Sequence, residues 1–246
     1  MTKPFHYQPP AEPWPKILYQ DKDVLVVEKP SGLLSNPGRG AHLQDSVLSR
    51  LSRQFPAVYL IHRLDLATSG LMVFALRRSA ERDLKQQFAS RQVDKTYLAR
   101  VAGVPVADAG YIDLPLAAVP AEEPGAAPRN QVCFSHGKAA QTYYRVLWQH
   151  ADSALLQLKP VTGRSHQLRV HLASLGHPIL GDTIYATPAQ QQAAPHLLLH
   201  ATQLAFRQPY SGEPLSFICP PELPLFGPAS MPALYTTQQM LQPTDI

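Results

Sequence analysis

The sequence predicts an α+β fold. Six strand-like runs and three helix-like stretches mix without a regular β-α-β alternation, which argues against a doubly wound parallel sheet. The 25 prolines in 246 residues are about twice the ordinary ~5% and favour turns and sheet boundaries over long bundles. The 45% hydrophobic content with only 16% charged residues supports a packed core and excludes a disordered chain.

Strands are expected at Val24–Glu28, Tyr59–Asp65, Gly70–Leu76, Thr96–Gly103, Gln141–Trp148 and Ala154–Lys159, where β-branched and aromatic runs end in Gly, Pro, Asp or Ser. A first helix is expected over Asp45–Phe55, with Val47, Leu48, Leu51 and Phe55 recurring at helical spacing. Ser79 is positioned to cap a second over Ala80–Arg91, with Leu84 and Phe88 inward and Arg82 and Lys85 outward. Ser165 is positioned to cap a third, with Leu168, Leu172 and Leu175 inward and Gly176 just past its end. The Ala- and Pro-rich stretch 117–128 reads as a surface loop, and the chain from Pro220, with six prolines, as an extended or partly disordered tail. The expected division is an N-terminal extension at 1–16, a catalytic domain at 17–219 and a tail at 220–246.

The net charge of +4 is unevenly spread. Residues 31–100 carry eleven Lys and Arg against five acids, and 137–178 carry five against one, while the flanking segments are neutral or acidic. Two basic blocks of this kind suit a polyanion, although charge alone fits a mixed solvated surface equally well. No apolar run reaches the ~18 residues of a membrane span. The opening, with its prolines and charges, is unlike a signal peptide, and Cys133 and Cys219 form no CxxC motif. A cytoplasmic, reduced protein is expected.

The sharpest segment is His62-Arg63-Leu64-Asp65-Leu66-Ala67-Thr68-Ser69-Gly70, which joins two strand runs and places a carboxylate and a guanidinium at the end of a sheet. On an extended chain Arg63 and Asp65 share a face, opposite His62 and Leu64. Taken alone, Asp65 fits a hairpin-ordering turn residue better than a catalytic group. A second segment, Thr162-Gly163-Arg164-Ser165-His166-Gln167-Leu168-Arg169, sets an arginine before a helix start. An arginine paired with a strand-end aspartate would keep it ionised and oriented. His166, His171 and His177 do not have zinc spacing: five residues on a helix turn a side chain by about 140°. HExxH, phosphate-loop and GxSxG patterns are missing as well.

These segments resemble the RluA-type RNA pseudouridine synthases. HRLDLATSG at 62–70 looks like their signature, and KPSGLL at 29–34, KTYLA at 95–99, GRSHQLR at 163–169, GHPILGD at 176–182 and LLHA at 198–201 follow the family's order. The opening, from Glu12-Pro13-Trp14 through Pro37-Gly38-Arg39, resembles the dual-specificity branch, which modifies both tRNA and large-subunit rRNA; the short stretch before Ile17 leaves no room for an S4 domain and suits that branch.

The resemblance implies a bent mixed β-sheet with peripheral helices and a central cleft, and isomerisation of uridine to pseudouridine with no cofactor and no metal. It assigns the chemistry to Asp65 acting on a flipped-out uridine, its ionisation to Arg164, base stacking to Tyr97 and the gap left by the flipped base to Arg63. Lys29 and Arg169 are expected as RNA-backbone contacts, and His62 as structural. The implied partners are the tRNA anticodon stem-loop, at position thirty-two, and 23S rRNA; no membrane and a monomer are expected. The rival readings are an rRNA-only synthase, a non-catalytic RNA-binding protein and an RNA glycosylase that would release free uracil.

Overall fold

The structure is a computed structural model that describes residues 7–120 and 128–227. The chain forms two compact units, one of Tyr7–Lys95 with His200–Pro221, the other of Thr96–Leu199 with the described residues from Glu222 onward.

In the first unit, β1 (Lys16–Gln20) and β2 (Val24–Lys29) make an antiparallel pair, and β2 pairs antiparallel with β4 (Ser69–Ala75). β3 is only Tyr59–Leu60, against the far end of β4. β11 (Leu199–Arg207) runs parallel to the start of β4 and carries β12 (Pro214–Ile218) antiparallel on its other side. One face of this sheet is apolar for a simple reason: Val24, Val26, Leu71, Val73, Ala75, Leu204 and Phe206 alternate with residues that point the other way. α2 (Arg78–Ala89) covers that face with Ala80, Leu84 and Phe88. α1 (Val47–Leu51) is shorter than its periodicity suggests; Ser46 and Ser49 form a reciprocal capping box at its start.

In the second unit, β5 (Asp94–Ala102, entering from the first unit at Thr96), β10 (Ser153–Pro160), β9 (Gln141–His150) and β6 (Ala109–Asp113) are consecutive antiparallel neighbours. β7 (Leu116–Val119) and β8 (Arg129–Val132) form a separate pair, and α3 (Gln167–Ser174), α4 (Pro188–Gln192) and α5 (Leu223–Phe226) complete the unit.

Several expectations need correction. Ile61–Thr68 is a loop and not a continuation of the strand at Tyr59. Ser79 lies inside α2, whose N-cap is Arg77, and His166, not Ser165, stands at the N-cap of α3; neither helix has a side-chain cap. Leu175 is exposed, whereas Gly176 takes the expected left-handed conformation with φ 84°. Residues 117–119 belong to β7, and Leu223–Phe226 form a helical turn in the proline-rich segment; 121–127 and 228–246 lie outside the described residues.

Candidate active site

The loop between β3 and β4 carries Arg63 and Asp65. Arg63 is exposed, Leu64 is buried as an anchor and Asp65 is half-buried, so the in-and-out alternation survives without strand pairing. The loop's shape comes from the segment after β2. Lys29 Nζ donates to the carbonyl oxygens of Pro30 and Leu66, both at 2.9 Å, and Ser31 Oγ donates to Ala67 O at 2.7 Å. The Gly32 N–H donates to Leu66 O at 3.0 Å, while Ser35 Oγ donates to Leu64 O and accepts from the Leu64 N–H. Every residue from Leu64 to Ala67 except Asp65 thus has its carbonyl clamped by Lys29–Ser35. The Asp65 carbonyl closes a turn by accepting from the Thr68 N–H. Gly70, at φ 108°, sits where a β-carbon would collide with the Ala201 backbone; the close approach of β4 and β11 requires glycine.

Lys29 is fully buried, and burial pushes its ammonium down to about 7 while the Asp65 charge pulls the other way. A group enclosed in this way cannot meet an RNA phosphate, which corrects its assignment as a backbone contact. His62 is structural in its contacts: Nε2 accepts from the Val73 N–H and the ring stacks on Phe88 at 4.7 Å. Burial, with the Lys95 charge adding, pushes the imidazole down to about 3 and keeps it neutral.

In the second unit Tyr97 stands half-exposed on β5 opposite Leu158 of β10. Arg164 is exposed, and its Nε donates to Ala139 O at 3.1 Å. The turn that presents it is fixed by Gln167, whose Oε1 accepts from Thr162 Oγ1 and the Arg164 N–H and whose amide donates to Gln141 O and Thr142 Oγ1. Arg169 is the second correction. It is buried in a two-bond ion pair with Asp182, at 2.7 and 2.6 Å, and so is not a phosphate contact. His166, His171 and His177 point to separate partners: Tyr185 Oη, Thr142 Oγ1 with Leu114 O, and Ala102 O.

Sequence reasoning missed Ser31, Ser35, Gln167 and Asp182, whose hydrogen bonds shape the Asp65 loop and the Arg164 turn and hold Arg169. The signal available was their presence inside KPSGLLS, GRSHQLR and GHPILGD, next to the residues that were singled out.

An RNA pseudouridylate synthase family model matches residues 23–174, more than half of the chain and including both the Asp65 loop and the Arg164 turn. The chain belongs to the RNA pseudouridine synthase family. It is 51% identical over 216 residues to the dual-specificity RNA pseudouridine synthase RluA of Escherichia coli strain K12, covering 87% of this chain and 97% of the relative. To the enzyme of the same name from Yersinia pestis it is 50% identical, covering 84% and 98%. The solved structure of human RNA Pseudouridylate Synthase Domain Containing 1 superposes with a TM-score of 0.68 at 30% identity, covering 84% of this chain and 83% of that one. A pseudouridine synthase is an isomerase acting on RNA, and the α+β mixed sheet is that family's fold. Among the described residues no helix is long and apolar enough to cross a membrane.

Proposed function

We propose that this pseudouridine synthase modifies the anticodon stem-loop of tRNA, at position thirty-two, and a similar loop in 23S rRNA, working as a cytoplasmic monomer whose catalytic domain is residues 17–219. The observation that carries this reading is the half-identity, over nearly their whole length, to relatives named as dual-specificity enzymes. The target uridine leaves its stack at a cost of a few kcal/mol. Asp65 acts on it as the carboxylate nucleophile or electrostatic partner. The N1–C1′ bond breaks, the uracil turns, C5 bonds to C1′, and the C5 proton is lost as N1 gains one. Tyr97 stacks on the uracil and its hydroxyl assists removal of the C5 proton. Arg164 supplies a cationic contact to the bound nucleotide. Arg63, held outward by the buried Leu64, fills the space the flipped base vacates.

The reaction changes neither mass nor redox state, so it calls for no cofactor. The test is incubation of the protein with a short anticodon stem-loop and, separately, with protein-free 23S rRNA, followed by carbodiimide–primer extension. Both are expected to be modified. Activity on rRNA alone makes it an rRNA-only synthase, and release of free uracil makes it a glycosylase; either overturns the proposal.

A further inference from the structure

On the apolar face of the first unit's sheet, at the edge of its core, three strands bring a glutamate, a histidine and a cysteine together. Glu28 lies on β2 opposite Leu71 of β4, and His200 of β11 is in register with Ser69 of β4, so Glu28, Ser69 and His200 share a face. Cys219 follows β12 directly, and its N–H donates to Thr202 O, which brings it beside β11. One carboxylate oxygen, one imidazole nitrogen and the Sγ lie within 4.8 Å of one another. His200 and Cys219 are buried, and Glu28 is partly exposed.

We infer that Glu28, His200 and Cys219 form a binding site for a borderline-soft divalent cation, Zn²⁺ by donor type. Mixed S, N and O donors are the set that zinc takes, with bonds of about 2.0–2.3 Å in a tetrahedron. The three donor atoms are already close enough that small side-chain rotations bring them around one ion. His200 has the outer-shell partners that ligating imidazoles have. Nδ1 is 2.8 Å from Ser69 Oγ and Nε2 is 2.9 Å from Cys219 O, so whichever nitrogen binds, the other keeps a hydrogen bond that fixes the ring. The Cys219 carbonyl is itself held by Thr202 Oγ1 at 2.9 Å. Binding replaces the Cys219 thiol proton: an Sγ–metal bond forms and the proton leaves to solvent. The fourth position falls to water or Ser69 Oγ. Partly exposed Glu28 is the way in. The ion would tie β2, β11 and the chain end after β12 together, and the inference does not depend on the RNA reaction.

The other cysteine is the rival binder: Cys133 Sγ is 3.3 Å from His136 Nδ1 on the loop after β8. The test is titration of the chelator-treated full chain with Co²⁺, a spectroscopic stand-in for Zn²⁺, in the parent protein and in Cys133→Ser, Cys219→Ser and Glu28→Gln. About one equivalent with a thiolate-to-cobalt charge-transfer band is expected, retained in Cys133→Ser. The band is expected to disappear in Cys219→Ser, and affinity to fall at least about 10-fold in Glu28→Gln. Should Cys219→Ser fail to fold, Glu28→Gln decides alone, with circular dichroism as the folding control. Absence of the band in the parent protein, its loss in Cys133→Ser, or unchanged affinity in Glu28→Gln overturns the inference.

Discussion

The Nζ of Lys29 lies 2.9 Å from the carbonyl oxygen of Leu66, the residue that follows Asp65. A buried lysine, set beneath the Asp65 loop, grips the peptide next to the carboxylate. Its hydrogen bonds serve the loop. Replacement by Met leaves the Pro30 and Leu66 carbonyls without this donor and lets Asp65 drift. Lys29→Met is expected to lower kcat by about 10- to 100-fold, the scale of a 1 Å misplacement, with the RNA dissociation constant nearly unchanged. Single-turnover kinetics with parallel filter binding separates the two; an equal loss in affinity would return Lys29 to the RNA interface.

Asp65→Asn keeps the size of the side chain and its place in the turn while removing the negative charge. Isomerisation is expected to fall by at least about 100-fold, with RNA binding preserved. Tritium release from uridine-labelled RNA gives the rate, and substantial residual turnover removes Asp65 from the chemical step.

Arg169 and Asp182 form a buried ion pair, and Asp182 also accepts the Ile184 and Tyr185 N–H groups. Asp182→Asn leaves the guanidinium buried without its counter-charge, for an expected loss of about 3–5 kcal/mol in urea unfolding. The double variant Arg169→Met with Asp182→Leu is expected to recover part of that loss. If the double variant is no better than Asp182→Asn, charge burial is not the source of the defect.

His62 is neutral in the folded protein because burial holds it down to about 3, whereas in the unfolded chain it titrates near 6.5. Between those values the unfolded chain binds the extra proton, so stability is complete above about pH 6.5 and is lost as pH falls toward 3. The expected slope is up to about 1.4 kcal/mol per pH unit. His62→Gln is expected to flatten this acid limb, read from urea midpoints at pH 7.5 and 5; an unchanged slope would assign the acid loss to other groups.

RNA binding is expected to weaken about 10-fold or more between low and moderate salt, because the two motif-bearing stretches carry surpluses of six and four positive charges. Fluorescence anisotropy across a salt series measures the slope. A flat line would mean that phosphate contacts contribute little.

The sequence by itself determined the fold class, the family and the strands β2, β4, β5, β9 and β10. Those strands are long and rich in apolar or β-branched residues, so their pattern survives without neighbours. The edge and polar strands were not legible. β8 reads Arg-Asn-Gln-Val and β6 Ala-Gly-Tyr-Ile-Asp, too short and polar to stand apart from loops, while β11 interrupts its apolar run with His200 and Thr202. Those two are tolerated in the interior because both reach the Cys219 carbonyl, a partner that exists only after β12 has folded back. Lys29 and Arg169 show the same limit from the other side. A charged residue in a sequence reads as surface, and only the tertiary structure supplies the Leu66 carbonyl and the Asp182 carboxylate that make it stable to bury them. Local pattern is written in the chain, but the cost of a buried charge is settled by partners that are distant along it.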